Sequence, residues 1–305
     1  MSNTAMPEAA ARGIHRAGFV AIVGRPNVGK STLLNRLIGQ KLSITSRKPQ
    51  TTRHRISGIH TDADTQYVFV DTPGFQRKHV NALNRALNRT VTETLADVDV
   101  IILVIEALRF GAADDEMLRL LPPGKPVLLA INKIDRQPNK TRLLPFIRDV
   151  AGRRSFVAIV PLSAKQGVQM DALLSAVRPL LPEGPSLFAE EQITDRTTRF
   201  LAAEFIREKI FRQSGEELPY AVSVIIEQWE EIDNLIRIHA AIVVDKPNHK
   251  AMIIGKQGDK LKRIGTDARL DLEKLLGTKV FLNLWVKVRS GWADDQAMLK
   301  QLGYE

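Results

Sequence analysis

Residues 24–31 carry the pattern in this chain that points most directly to chemistry. They read Gly-Arg-Pro-Asn-Val-Gly-Lys-Ser, which matches the phosphate-binding pattern G-x-x-x-x-G-K-[ST]. In such a loop the backbone N–H groups turn towards a phosphate chain, and the following helix adds the partial positive charge of its N-terminus. We expect Lys30 to reach the β- and γ-phosphate oxygens and the Ser31 hydroxyl to ligate Mg²⁺. The phosphate contacts predicted here come from Gly24, Arg25, Pro26, Asn27, Val28, Gly29, Lys30, Ser31 and Thr32.

A second phosphate-side motif, Asp-Thr-Pro-Gly, follows the apolar residues 67–70. An Asp at this place holds Mg²⁺ through water, and the Gly N–H meets the γ-phosphate and lets the next segment move when that phosphate leaves. The D-x-x-G pattern recurs at residues 149–152, but there it lies at a predicted helix end. Its position after a strand therefore favours the first copy, with predicted contacts from Asp71, Thr72, Pro73 and Gly74.

A third motif, Asn-Lys-Ile-Asp at residues 132–135, selects a base. The Asp135 carboxylate can accept hydrogen bonds from the N1–H and the amino group of guanine, and adenine lacks that donor pair. The Asn132 side chain can connect this loop to the phosphate loop through hydrogen bonds. The aliphatic part of the Lys133 side chain can cover the face of the guanine ring. A Ser-Ala-Lys segment after a later strand can meet the guanine oxygen. The predicted base contacts are Asn132, Lys133, Asp135, Ser163, Ala164 and Lys165.

These motifs lie at the ends of elements that alternate along residues 19–181. Alternation of strands and helices predicts a mostly parallel α/β sheet with helices on both faces, and ligands bind beyond the carboxyl ends of its strands. The predicted strands are 19–23, 56–60, 67–70, 100–105, 127–131 and 156–160. The predicted helices are 30–39, 81–95, 114–121, 141–151 and 167–181.

The alternation ends in a Pro- and Gly-rich segment at residues 181–186, and the order of elements then changes. A helix at 197–214, strands at 221–227 and 235–244, helices at 249–254 and 257–276, and a strand at 280–288 predict an α+β domain. We divide the chain into a flexible extension (1–16), a nucleotide-binding domain (17–182), a linker (183–195) and a second domain (196–305).

The composition limits the partners. The chain of 305 residues has 44 Lys and Arg against 34 Asp and Glu, a net charge of +10, which favours a polyanionic partner. Residues 196–305 hold 18 Lys and Arg against 16 Asp and Glu, so most of the excess positive charge lies in residues 1–195. Cysteine is absent, which excludes disulfides and thiolate chemistry and fits a cytoplasmic location. No apolar run approaches the roughly 18 residues of a membrane span.

Together, the motifs and their spacing resemble the Era branch of the P-loop GTPases. The resemblance implies GTP and GDP as ligands, and a switch I loop at residues 43–53. It makes Thr52, with Thr51 as the alternative, the Mg²⁺ ligand beside Ser31. The predicted catalytic residues are Asn27, Lys30, Thr52, Asp71 and Gly74.

One departure from many small GTPases bears on hydrolysis. They place a glutamine after the Asp-x-x-Gly motif to orient the attacking water, whereas this chain has Phe75. We therefore expect slow intrinsic hydrolysis. We also hypothesise that Asn27 helps to hold a K⁺ ion against the phosphates, as in similar GTPases that lack this glutamine, with a satisfied loop residue as the plain alternative.

The second domain contains Gly-Lys-Gln-Gly at residues 255–258, surrounded by basic residues. A lone G-x-x-G predicts only a turn, but the order of elements around it resembles a type II KH domain, which binds single-stranded nucleic acid. The resemblance implies RNA contacts from Lys250, Ile253, Ile254, Gly255, Lys256, Gln257, Gly258, Lys260, Leu261, Lys262 and Arg263. Some of the apolar residues must instead belong to the core, and the sequence does not show which of them contact RNA and which are core residues.

The Era resemblance implies that the KH domain binds the 3′ end of 16S rRNA in the GTP state, in a monomer that helps to build the 30S ribosomal subunit. It leaves open peripheral contact with the inner face of the cell membrane. The alternative is a signalling GTPase whose C-terminal domain binds a protein or membrane partner. The basic residues around 255–263 favour RNA.

Overall fold

The computed structural model describes residues 15–46, 48, 51–74, 82–215, 218 and 222–304. In its first part, six strands form one sheet in the order β2-β3-β1-β4-β5-β6. Strand β2 runs antiparallel to β3, and the other neighbouring strands are parallel, as predicted. The strands are β1 (Arg16–Val23), β2 (Ile56–Thr61), β3 (Thr65–Asp71), β4 (Val100–Glu106), β5 (Val127–Asn132) and β6 (Ala158–Pro161).

Helices cover both faces of this sheet because successive strand residues point to opposite sides. In β1, Val20 and Ile22 belong to one buried cluster, and Ala21 and Val23 belong to the other. This confirms the predicted α/β layers. The helices are α1 (Lys30–Ile38), α2 (Ala82–Asp97), α3 (Ala112–Leu120), α4 (Leu143–Ala151) and α5 (Met170–Val177).

The second part has the predicted order helix, two strands, two helices and strand. The strands form a sheet in the order β7-β8-β9, with β7 antiparallel and β9 parallel to β8. A short last helix, α9, was not predicted. The elements are α6 (Thr198–Gln213), β7 (Val222–Ile232), β8 (Leu235–Val244), α7 (Pro247–Ile254), α8 (Asp259–Leu276), β9 (Lys279–Val288) and α9 (Gln296–Gln301).

Two segments differ from the predicted domain division. Strand β1 begins at Arg16, whose Nη1 donates to the Leu181 carbonyl at 2.7 Å, so the last residue of the predicted extension belongs to the sheet. Residues 1–14 lie outside the described residues. The predicted linker lies along the sheet edge, where the Ile59 N–H donates to the Ile193 carbonyl at 2.9 Å. The exact domain boundaries remain a prediction.

Candidate functional site

The phosphate loop connects β1 to α1 at the carboxyl end of the sheet. Gly29 has a φ of 106°, and a Cβ on it would lie 2.3 Å from Asn132 Nδ2, so only glycine fits there. The cleft beside this loop also borders part of the predicted switch I. Its lining residues are Pro26, Asn27, Gly29, Lys30, Ser31, Thr32, Ile44, Thr45, Ser46, Lys48, Thr51, Thr52 and Gly74.

Lys30 is the buried cation of this cleft. Its Nζ donates to the carbonyls of Gly24 at 3.0 Å and Arg25 at 3.2 Å. Burial lowers the pKa of Lys30 to about 8, although the nearby Asp71 carboxylate acts in the opposite direction. Because burial lowers its pKa, the Lys30 ammonium would be strongly stabilised by negative charge brought into the cleft. This is the behaviour expected of a phosphate-binding lysine.

Four side-chain oxygens converge at the place predicted for Mg²⁺. Ser31 Oγ lies 2.7 Å from Asp71 Oδ2 and 2.9 Å from Thr52 Oγ1, and Ser43 Oγ donates to Asp71 Oδ2 at 2.7 Å. Asp71 Oδ1 is buried without a hydrogen-bond partner among the described residues. Hard oxygen donors are what Mg²⁺ prefers, so the site fits the ion, which supplies positive charge to the phosphates. Ser43 was missed because a serine in a loop carries no distinguishing pattern.

The geometry favours Thr52 over Thr51 as the metal-side threonine. Thr52 Oγ1 lies 3.2 Å from Asp71 Oδ2, whereas the Thr51 hydroxyl donates to the Lys48 carbonyl at 2.8 Å. Arg47, Pro49 and Gln50 of the predicted switch I, and Phe75, lie outside the described residues. The expectation that no side chain at position 75 orients the water therefore stays a prediction.

The base loop is fastened to the phosphate loop. Asn132 Nδ2 donates to the Val28 carbonyl at 2.8 Å, and its Oδ1 accepts the N–H groups of Lys133 and Ala164 at 2.7 and 3.0 Å. Asp135 Oδ1 accepts the Ser163 hydroxyl at 2.6 Å. The predicted base residues are thus brought together at one end of the sheet.

Glu106 is a further charged member of this end of the sheet that the sequence analysis did not select. Its Oε2 lies 2.8 Å from Lys133 Nζ and 3.4 Å from Arg25 Nη2. Lys133 Nζ also donates to the Asn27 carbonyl at 2.6 Å. The position of Glu106 as the last residue of β4, beside the last residue of β5, was the signal that could have identified it.

Of the remaining residues predicted to contact phosphate, some line the cleft and others direct their side chains elsewhere. Thr32 and Gly74 line the cleft, but the Thr72 hydroxyl is buried and donates to the Ile22 carbonyl at 3.2 Å. Arg25 directs its guanidinium to Glu106 and to Asp114, at 3.4 and 3.2 Å. The predicted contribution of Arg25 and Thr72 is therefore limited to their backbone. Pro73 is buried, and the Lys165 carbonyl accepts a hydrogen bond from Arg36.

The G-x-x-G segment forms a tight connection between α7 and α8. Gly255, Gln257 and Gly258 all have positive φ angles, of 73°, 52° and 84°. Gly258 is the residue before α8, and no atom lies within 4 Å of where its Cβ would stand. The backbone of this turn is therefore open to a ligand that approaches the N-terminus of α8, where partial positive charge favours phosphate.

An open groove of about 370 Å³ continues from this turn between α8 and β9. We call it the KH groove. Of the predicted RNA residues, Gly258, Leu261 and Lys262 line it. Its other lining residues, Gly265, Thr266, Arg269, Leu282 and Leu284, were missed. The helical spacing from Gly258 to Arg269 and the two-residue spacing of the leucines would have identified them.

One predicted RNA contact is corrected. Ile253 has no exposed surface and packs with Ile264 in the core of the second domain, so it contacts no base in this structure. Ile254 is partly exposed beside the same core. Lys250, Lys256, Gln257 and Arg263 are exposed, and Gly255 and Lys260 are partly exposed. Among the described helices, none is long and apolar enough to cross a membrane.

Comparisons with known proteins agree with both halves of this arrangement. A family model described as 50S ribosome-binding GTPase matches residues 19–133, and a KH domain model matches residues 217–293. GTPase Era of Nitrosomonas eutropha is 58% identical over 291 residues, which are 95% of this chain and 98% of that protein. GTPase Era of Neisseria meningitidis serogroup B is 56% identical, with 96% of each chain covered.

Two solved structures share the whole architecture at 40% identity, covering 95% of this chain and 99% of theirs. One is a variant of Aquifex aeolicus Era bound to GDP and AlF₄⁻, with a TM-score of 0.91. The other is Era in complex with MgGDPNP and nucleotides 1506–1542 of 16S ribosomal RNA, with a TM-score of 0.92. On the shared motifs, the shared fold and these near full-length relatives, the chain belongs to the Era family of GTPases.

Proposed function

We propose that this GTPase is a nucleotide-gated RNA switch that binds the 3′ end of 16S rRNA through the KH groove. It acts in the biogenesis of the 30S ribosomal subunit, and hydrolysis of GTP releases it. The observation that carries this function is one chain that holds both a magnesium–nucleotide cleft and an open KH groove. The related Era structure contains both MgGDPNP and 16S rRNA nucleotides.

The chemistry of the KH groove suits single-stranded RNA. Leu261, Leu282 and Leu284 provide an apolar surface for bases, and Lys262 and Arg269 lie beside it for phosphates. A protein-docking surface would not need this pairing of a glycine turn with basic residues. A signalling role with a protein partner is therefore the weaker alternative.

A binding titration tests the proposal. A fluorescent RNA with the sequence of the 3′ end of 16S rRNA is titrated with the protein in GDPNP or in GDP, at several salt concentrations. We expect at least tenfold tighter binding with GDPNP, and an affinity that falls steeply with salt because phosphate contacts release counterions. Equal affinity with the two nucleotides would contradict the gating.

Gly258 and Gly277 provide a matched pair of variants for this titration. They lie at opposite ends of α8, both with positive φ and with open space around the missing Cβ. Gly258→Asp adds strain and negative charge at the RNA site, whereas Gly277→Asp adds a similar strain and the same charge at the C-terminus of α8, where the helix dipole disfavours a carboxylate. Only the first should abolish RNA binding. Equal losses of RNA affinity in the two variants would show that the effect comes from damage to the fold.

We propose that Mg²⁺ bound with GTP is held through Ser31 and Thr52, and that a K⁺ ion beside Asn27 supplies the charge that an arginine finger supplies elsewhere. The position of Asn27 in the cleft supports this role. Hydrolysis is measured in K⁺ and in Na⁺ for the wild type and for Asn27→Ala. Equal rates in both salts, with no effect of the substitution, would contradict the K⁺ role.

We also propose that the protein acts as a monomer in the cytoplasm, with peripheral contact between its basic surface and the anionic inner face of the cell membrane. Its net charge of +10 supports the membrane contact. Sedimentation with vesicles of anionic or neutral lipid, and light scattering of the free protein, test these two points. Absence of binding to the anionic vesicles, or a dimer mass, would contradict the corresponding point.

A further inference from the structure

Helix α6 of the second domain is buried on almost all sides. Every residue from Leu201 to Phe211 except Ala203 is buried, including four charged ones. A helix that is buried all round has a partner on each face. Ile206 and Ile210 pack into the core of the second domain, whereas Phe205 packs with Ile44, a cleft residue of the nucleotide-binding domain.

Arg207 on this helix contacts the nucleotide-binding domain directly. Its Nη2 donates to the Thr51 backbone carbonyl at 2.7 Å, and its Nε donates to Glu204 Oε1 at the same distance. Its side chain is only 1% exposed. Although burial opposes ionisation, the Arg207 guanidinium holds the pKa of Glu204 below its usual range. The pair is therefore charged, and Glu204 fixes the direction in which Arg207 points.

The residue after Thr51 is Thr52, whose hydroxyl lies in the metal site. The residue after that, Arg53, is also bound by the second domain, because its Nη1 donates to the Val222 carbonyl of β7 at 2.9 Å. Thr52 is thus held between two contacts with the second domain, one on each side. Its own hydroxyl then faces Ser31 and Asp71, at 2.9 and 3.2 Å.

A second attachment lies further from the metal site. Glu208 Oε1 accepts the Thr45 N–H at 2.9 Å, and its Oε2 lies 2.5 Å from Lys41 Nζ. These contacts fix the start of the predicted switch I, six residues or more before Thr51. Nearer to the metal site, Lys48 Nζ donates to the Phe211 carbonyl of α6 at 2.7 Å. Among the described residues of α6, Arg207 is the one that bonds to the backbone of Thr51 itself.

We propose that Arg207 is a positioning residue for GTP hydrolysis: from the second domain, it holds the Thr51 carbonyl so that the Thr52 hydroxyl faces the metal site. The GTPase site is then complete only when α6 is docked. Switch I threonines are ordered by the γ-phosphate and Mg²⁺ and are released after hydrolysis. Arg207 therefore acts on the triphosphate state and leaves GDP binding almost unchanged.

The test uses the full chain with Glu204→Gln and Arg207→Met combined, because Arg207→Met alone would strand a buried carboxylate. We expect the single-turnover hydrolysis rate to fall at least tenfold and the Mg²⁺ concentration for half-maximal GDPNP binding to rise about tenfold. The affinity for GDP should stay within twofold. Equal losses of GDP and GDPNP affinity, or no change in the Mg²⁺ requirement, would overturn the proposal.

A double-mutant cycle with Thr52→Ala separates positioning from general damage. If Arg207 acts through Thr52, the combined Glu204 and Arg207 substitutions should add less than twofold to the loss in the Thr52→Ala background. Arg207→Lys, which keeps a donor, should recover part of the rate. Independent, multiplied losses would overturn the proposal.

The exposed pair of Asp149, on α4, and Arg153, two residues after the end of that helix, provides a control for the removal of a charge pair. Asp149→Asn with Arg153→Met should leave the Mg²⁺ requirement and the single-turnover rate within twofold of the wild type. A similar loss in this control would show that the removal of any ion pair has this effect, and would contradict a specific role of Arg207.

Discussion

Asn132 Nδ2 donates a hydrogen bond to the Val28 carbonyl at 2.8 Å, and this contact joins the base loop to the phosphate loop. Both side-chain atoms of Asn132 are used, because Oδ1 accepts the N–H groups of Lys133 and Ala164. The loop that binds the base and the loop that binds the phosphates are therefore connected through the Asn132 side chain. Asn132 is 2% exposed, so water does not replace these contacts easily.

Asn132→Ala should weaken the binding of GTP and GDP to the same extent. Unpaired buried polar groups cost about 1–3 kcal/mol, which corresponds to a loss of roughly tenfold to a hundredfold in affinity. Displacement of a fluorescent guanine nucleotide measures this loss, with the exposed Asn283→Ala as the control. A loss confined to GTP would contradict a shared tie between the loops.

Asp135→Asn should change the base that is preferred. An amide in place of the carboxylate offers only one acceptor to guanine, and its N–H₂ can donate to the second carbonyl of xanthine. We expect at least a hundredfold loss of GTP affinity and a gain for xanthosine triphosphate, measured by competition. Unchanged GTP affinity would show that Asp135 does not read the base.

Lys30 predicts a pH dependence of nucleotide binding. Its pKa in the free protein is lowered to about 8 by burial, and bound phosphates must raise it. Below pH 8 the ammonium is already present, whereas above pH 8 binding takes up a proton and the affinity falls up to tenfold per pH unit. Calorimetry at pH 9 in buffers of different ionisation enthalpy measures the uptake. No uptake at pH 9 would contradict a neutral Lys30.

His54 predicts a loss of stability in acid. Its ring stacks on Tyr304 with centroids 4.4 Å apart, and burial lowers its pKa to about 4. The unfolded chain protonates His54 near pH 6.5, so its contribution falls as the pH drops from 6.5 to 4. The difference between 6.5 and about 4 is about 2.5 pKa units, which is worth roughly 3 kcal/mol.

Urea unfolding from pH 7 to pH 4.5 measures this contribution. His54→Gln should flatten the pH dependence, because the amide does not titrate. A His54→Gln protein with the full wild-type pH dependence would contradict this role for His54.

The nucleotide-binding fold could be predicted because its evidence is local. Each motif directly follows an apolar strand or precedes a helix, and parallel strands bring their carboxyl ends to one edge. Asn132 and Asp71 are therefore placed by strand ends that can be read from the chain. Glu106 also ends a strand and could have been selected by that position, whereas Ser43 could not, since its role depends on where Asp71 lies in space.

The second domain shows where sequence reasoning stops. Ile253 and Ile254 are neighbours of the same type on one short helix, and only the packing decides that Ile253 belongs to the core. The contact between Arg207 and Thr51 joins residues 156 apart in the chain. Helix α9 is six residues long, and its docking through Met298 and Leu299 onto α2 depends on the other domain.

Crosslinking of the protein to total cellular RNA tests the central claim most directly. The experiment compares a non-hydrolysable GTP analogue with GDP, for the wild type, Gly258→Asp and Gly277→Asp. We expect recovery of the 3′ end of 16S rRNA with the GTP analogue, from the wild type and Gly277→Asp but not from Gly258→Asp. Recovery that is independent of the nucleotide, or no RNA at all, would contradict a nucleotide-gated RNA switch.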